Sequence, residues 1–94
     1  MTTQTKSIQY AAAALDDAVS TIIASLGLDV EKHDDVELLC GLRAVYTISG
    51  CRTTDVRSYA DMAIRRVRRR NDTYGCTLKV ASVNRFTIGV DITE

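Results

Sequence analysis

The stretch VELLCGLRAVYTISG, residues 36–50, decides how the rest of the chain is read. Val36, Leu38, Leu39, Leu42, Val45, Tyr46 and Ile48 are dense enough to cover a broad apolar face, and Gly50 is a stop signal. Just upstream, Asp34 stands three residues before Glu37, the spacing of a capping box, with acidic groups where a helix dipole favours them. These features predict a largely buried helix ending at Gly50, the second of three.

On its N-terminal side, Ile8, Ala12, Leu15, Val19, Ile22 and Leu26 recur at spacings of three and four, flanked by Ala11, Ala18 and Ile23. This predicts a first helix, capped by Thr5 or Ser7 and closed by Gly27, with Leu28 folding back on the last turn. On the C-terminal side, Val56, Ala60, Ala63 and Val67 repeat the pattern, with Tyr59 and Ile64 beside them. Thr53 or Thr54 caps this third helix, and Asn71 and Gly75 end it. From Cys76 the period falls to two: Leu78 and Val80, then Phe86, Ile88, Val90 and Ile92, predict a β-hairpin turning near Val83, Asn84 and Arg85. Gly89 within the second strand marks a bulge or a close backbone approach. The expected fold is α+β, a three-helix bundle followed by a C-terminal β-hairpin, forming one domain over residues 1–94.

Composition bounds the function classes. The chain has 94 residues, 46% hydrophobic and 26% charged, values of an ordinary globular protein. No apolar run is long enough to span a bilayer and no secretory leader is legible, so a cytoplasmic protein away from membranes is expected. Cys40, Cys51 and Cys76 contain no Cys-x-x-Cys pair; with His33 they make a poor zinc set, and neither metal nor cofactor is expected. Catalysis is not expected either. His33 is the only histidine, the pairs Asp16-Asp17 and Asp34-Asp35 diverge if helical, and no phosphate loop or nucleophile motif is present.

The net charge is zero, but residues 1–37 carry two basic groups against seven acidic ones and residues 38–94 ten against five. Five arginines fill six positions in "DMAIRRVRRR", residues 61–70. With the Val56 to Val67 stripe inward, Arg65, Arg68 and Arg69 point outward, Arg57 and Arg66 flank them, and Arg70 lies over the end. Asp61 is four residues from both Arg57 and Arg65 and can pair with either. Three readings follow: the cluster is solvated or neutralised by the acidic segment Asp29 to Glu37 folding against it; it contacts nucleic acid; or it meets an acidic protein surface. Tyr74, in the loop beyond the cluster, either stacks on a base or packs over the helix end.

The order of three helices then a hairpin, with Gly50 in a turn and Arg57 and Ser58 opening the third helix of "TISGCRTTDVRSYADMAIRRVRRR", resembles loosely the winged-helix family. That resemblance implies a helix-turn-helix at DNA. The arginines crowd the C-terminal end of the helix instead of its base-reading end, which favours phosphate contact over sequence readout. The leading expectation is a non-enzymatic protein that binds nucleic acid, or a nucleic-acid-binding complex, through Arg57, Arg65, Arg66, Arg68, Arg69 and Arg70, with Arg52 adjoining.

The alternative is a protein-interaction module. In kind, the chain resembles small accessory proteins of phages and mobile elements, anti-CRISPR inhibitors among them, that act on a host complex. Asp29, Glu31, Asp34, Asp35 and Glu37 would then be the working surface. A third reading is a structural subunit that forms a homodimer through helix 1 or the last strand.

Overall fold

In the computed structural model, which describes residues 5–94, residues 36–50 are not helical. They form β2 (Val36–Leu38), a tight turn at Leu39 and Cys40, and the nine-residue β3 (Gly41–Ser49). The expected three-helix bundle with a hairpin is therefore replaced by two α-helices and a five-stranded antiparallel sheet, and the winged-helix order falls with it. The deciding pattern is Leu42, Ala44, Tyr46 and Ile48, all buried and all two apart, alternating with Arg43, Val45 and Thr47. The apolar set that suggested a helix mixes the two sides of this strand: Val45 points away from the core. Asp34 lies in the loop before β2 and Glu37 within it, so no capping box exists.

Gly41 fixes the start of β3. A Cβ there would sit 2.0 Å from the Ile92 carbonyl oxygen on the neighbouring strand, so the approach of the two backbones admits only glycine.

The full order is α1 (Lys6–Ser25), β1 (Asp29–Lys32), β2, β3, α2 (Val56–Arg69), β4 (Thr77–Asn84) and β5 (Thr87–Thr93), with a short 3-10 turn, Thr53–Asp55, leading into α2. Across the sheet the strands run β1, β3, β5, β4, and β2 continues the β1 edge by pairing with the first residues of β3. The acidic segment Asp29 to Glu37 thus supplies an edge strand. Both helices lie on one sheet face, α1 chiefly over β1, β3 and β5 and α2 over β4 and β5, and they pack against each other. Ile88, Val90 and Ile92 of β5, with Leu78 of β4, complete the core under Leu15, Val19, Ile23, Ala60, Ile64 and Val67.

Locally α1 follows its sequence signals, whereas α2 is not capped by Thr53 or Thr54 as expected: both lie in the 3-10 turn, and its N-cap position is Asp55, which makes no side-chain cap bond. The Thr5 hydroxyl accepts from the Ile8 amide, Gly27 adopts a φ of 72°, and the Leu28 amide returns to the Ile23 carbonyl. The buried stripe of α1 is rotated toward Ala11, Ala18 and Ile23, leaving Leu26 exposed. In the β4–β5 hairpin, Arg85 takes the left-handed turn position at φ 57°, and Phe86, expected in the core, is 38% exposed at the tip. A bulge between Val80 and Ser82 lies beside Gly89, and the Arg43 side chain crosses that glycine to reach Asp91, Nε to Oδ1 2.6 Å.

One polar group of α1 is tied into the core. The Tyr46 hydroxyl, on a ring otherwise buried in the sheet, donates to the Asp16 carboxylate, and Lys32 sits 5.3 Å over the same ring while pairing with Asp35. Burial raises the Asp16 carboxyl above its ordinary value, outweighing the Tyr46 hydrogen bond and the Lys32 charge; burial and the adjacent carboxylate hold the Tyr46 phenol in its neutral form.

Two outcomes are expected. Gly41→Ala lowers unfolding stability by an amount at or above the upper end of the roughly 1–3 kcal/mol of overpacking, measured by urea denaturation. A carboxyl that holds its proton more tightly when folded contributes stability that is full below its unfolded pKa and falls away as pH rises through the folded one. Urea titrations across the acid range should therefore show Asp16→Asn gaining on the wild type as pH rises past the ordinary carboxylate value, with the two close below it.

Candidate nucleic-acid interface

α2 buries Val56, Ala60, Ala63, Ile64 and Val67, and this stripe directs the remaining side chains outward along a helix length of about 18 Å between Arg57 and Arg69. Two grooves flank that outer face. One, of about 290 Å³, runs between α2 and β4 and is lined by Arg57, Asp61, Arg65, Arg68 and, from the strand, Lys79. The other, of about 300 Å³, runs between α2 and α1 and is lined by Ile22, Met62, Arg65, Arg66 and Arg69. Arg65 stands on the crest between them and faces both.

The arginines differ in how they are held. Arg57 Nε lies 4.0 Å from Asp61, and Arg70 Nε lies 3.6 Å from Asp72. Arg68 donates from Nη2 to the Leu78 backbone carbonyl at 3.1 Å, which pins it across the edge of β4. Arg65, Arg66 and Arg69 have no carboxylate within 4.0 Å among the described residues. Arg52 stands apart, before the 3-10 turn, paired with Asp55 at 3.3 Å in a groove with Leu26, Leu28 and Cys51. The arrangement keeps five arginines along α2, with Lys79 bordering their groove from the β4 edge strand, its side chain on the helix-free face, and leaves Arg52 outside it.

The acidic segment does not fold against this surface. Asp29, Glu31, Asp34, Asp35 and Glu37 are exposed along β1, β2 and the loop between them, at the edge of the sheet opposite β4. Lys32 pairs with Asp35, and His33 lies 3.4 Å from Glu31 and 2.7 Å from the Thr47 hydroxyl. No ion pair joins this edge to the α2 arginines. Neutralisation of the cluster by its own acidic half is thereby overturned: α1 and two central strands stand between them. Tyr74 rests on Tyr10, ring centroids 5.3 Å apart, and is half exposed, so one side of its ring is already covered.

Lys79 is the cation that helix periodicity alone could not add. Its strand was legible, but its place beside Arg57 and Arg68 depends on α2 packing over β4. Among the described residues no group of three or more His, Cys, Asp or Glu side chains is arranged to hold a metal, and no helix is long and apolar enough to cross a membrane. Comparison with known proteins finds no family model that matches the chain and no matching relative among curated proteins.

Proposed function

We propose that the protein binds nucleic acid without catalysing a reaction, through phosphate contacts from the outer face of α2. The observation that carries this reading is the set of three guanidinium groups, Arg65, Arg66 and Arg69, that no carboxylate among the described residues neutralises, displayed beside Arg57 and Arg68, with Lys79 bordering the groove from the edge strand. Adjacent like charges raise the free energy of the isolated protein, and a phosphate chain relieves that repulsion by charge-assisted, often bidentate hydrogen bonds. Contacts of this kind position a backbone and carry no sequence code. Binding should therefore be tolerant of sequence and steep in salt.

A second reading places the working surface on the opposite edge, where Asp29, Glu31, Asp34, Asp35 and Glu37 adjoin the exposed side chains of Val36 and Leu39. Acidic groups around an apolar patch suit a basic protein partner, as in an inhibitor that occupies a nucleic-acid site. The two readings use different edges.

Fluorescence polarisation with short duplex and single-stranded DNA and RNA, at about 50 and about 200 mM salt, separates them. The expected result is binding at the lower salt that weakens sharply at the higher. The triple change Arg65→Ala, Arg66→Ala, Arg69→Ala should lower the duplex-DNA slope of log affinity against log salt by about three. Absence of binding at the lower salt overturns the nucleic-acid reading and directs the search to the acidic edge.

A further inference from the structure

The two edges of the sheet are opposite in charge and also opposite in strand direction. Every neighbouring pair in the order β1, β3, β5, β4 is antiparallel. With an even number of strand positions, the outermost strands therefore run in opposite directions. β2 runs with β1, because it too is antiparallel to β3. Among the described residues neither outer edge is paired with another strand.

A second molecule placed alongside in the same orientation would bring its β1 against β4 of the first, antiparallel, with the helices of both copies on one side. The backbone is ready for this. Arg68 reaches the Leu78 carbonyl, so that carbonyl faces out from the edge of β4; a carbonyl has two lone pairs and can accept from an incoming amide as well. β4 runs in regular register from Thr77 to Val80 before its bulge, so Leu78, Lys79 and Val80 can lie against Lys32, Glu31 and Val30 of β1 with like faces together.

Side chains sort by face in the same way. Lys79 pairs across from Asp91, and Asp91 from Arg43, on the sheet face without helices; Glu31 pairs across from Thr47 on that same face. Lys79 shares a row with Arg43 and Glu31 a row with Thr47, so Lys79 of one copy meets Glu31 of the next when that copy is slid four residues, about 13 Å, along the strands. A two-fold arrangement does the reverse: β4 on β4 sets arginine rows against each other, and β1 on β1 sets carboxylates against carboxylates. Charge thus rejects the symmetric pairings and accepts the head-to-tail one.

We propose that the basic β4 edge of this protein docks the acidic β1–β2 edge of a second copy, extending one antiparallel sheet from molecule to molecule. Because each copy keeps a free edge of each kind, the contact is heterologous and adds copies in a row. The pairing is short, so association is weak, rises with concentration and is suppressed by salt. This inference goes beyond nucleic-acid binding and does not rest on it, since Arg66 and Arg69 face the other groove.

The test is the weight-average mass, by sedimentation or light scattering, from about 0.01 to about 1 mM protein, at about 0.05 and about 1 M salt. At low salt the mass should climb with concentration above the 10.3 kDa of one chain, and at high salt it should stay there. Lys79→Glu and Glu31→Lys, each with an unchanged circular-dichroism spectrum, should each remain monomeric, because each sets like charges across the junction. Mixed in equal amounts they should associate again, since every junction between unlike copies then pairs opposite charges, and the double variant should associate by itself. A chain that is monomeric at low salt throughout, or a mass that neither salt nor the single changes reduce, overturns the proposal. Loss of association in the singles without recovery in the mixture overturns it too.

Discussion

The molecule depends on a sheet with a single dry face. Leu42, Ala44, Tyr46 and Ile48 of β3 and Ile88, Val90 and Ile92 of β5 all project to the same side, and the whole core is built on that side. Two helices suffice to cover it, each giving up one stripe to the sheet and to its neighbour. The other face is left to Thr47, Thr87, His33 and the Arg43–Asp91 pair, which satisfy one another through side-chain hydrogen bonds. A polar network laid on a sheet whose backbone is already paired costs little to keep in water.

That division also explains why charge collects at the rims. The core absorbs the inner half of α2, and the outer half is free to be almost wholly basic without disturbing packing. At the far rim β1 and β2 contribute only Val30, partly buried, to the core cluster, so their other positions can be acidic. Arg68, bonded to the edge of β4, belongs to both schemes: it takes one lone pair of an outward carbonyl and adds to the positive surface.

Legibility in the sequence followed the range of the interactions. α1 and α2 were readable because the apolar period and the C-terminal glycine or asparagine are local, as is the Thr5 cap of α1, and the β4–β5 hairpin because its strands are neighbours in the chain. Residues 36–50 were not. Their inward set is alternate, but Val45 and Leu38 on the open face are apolar as well, and a run apolar on both sides counts toward a helix as readily as toward a strand. β1 carried no apolar signal, since an edge strand is defined by its partner, here Tyr46 to Ser49. The arginine face was visible from helix periodicity alone. Its distance from Asp29 to Glu37, and its meeting with Lys79, depend on the order of strands in the sheet, which no local pattern encodes.

The central pairing has a consequence for how this chain reaches its fold. Arg43 and Asp91 face each other across β3 and β5 although 48 residues separate them, and α2 and β4 lie between. Each half of the chain is a helix followed by antiparallel strands whose contacts with that helix are close in sequence. The join between the halves is the one contact surface that requires closing a long loop, and the entropy of closure is spent before any of its burial is returned. Assembly of β3 on β5 is thus the step at which the largest cost of loop closure falls. That cost is recovered at Ala44, Val90 and their neighbours at the centre of the sheet, not at the charged rims on which the molecule meets its surroundings.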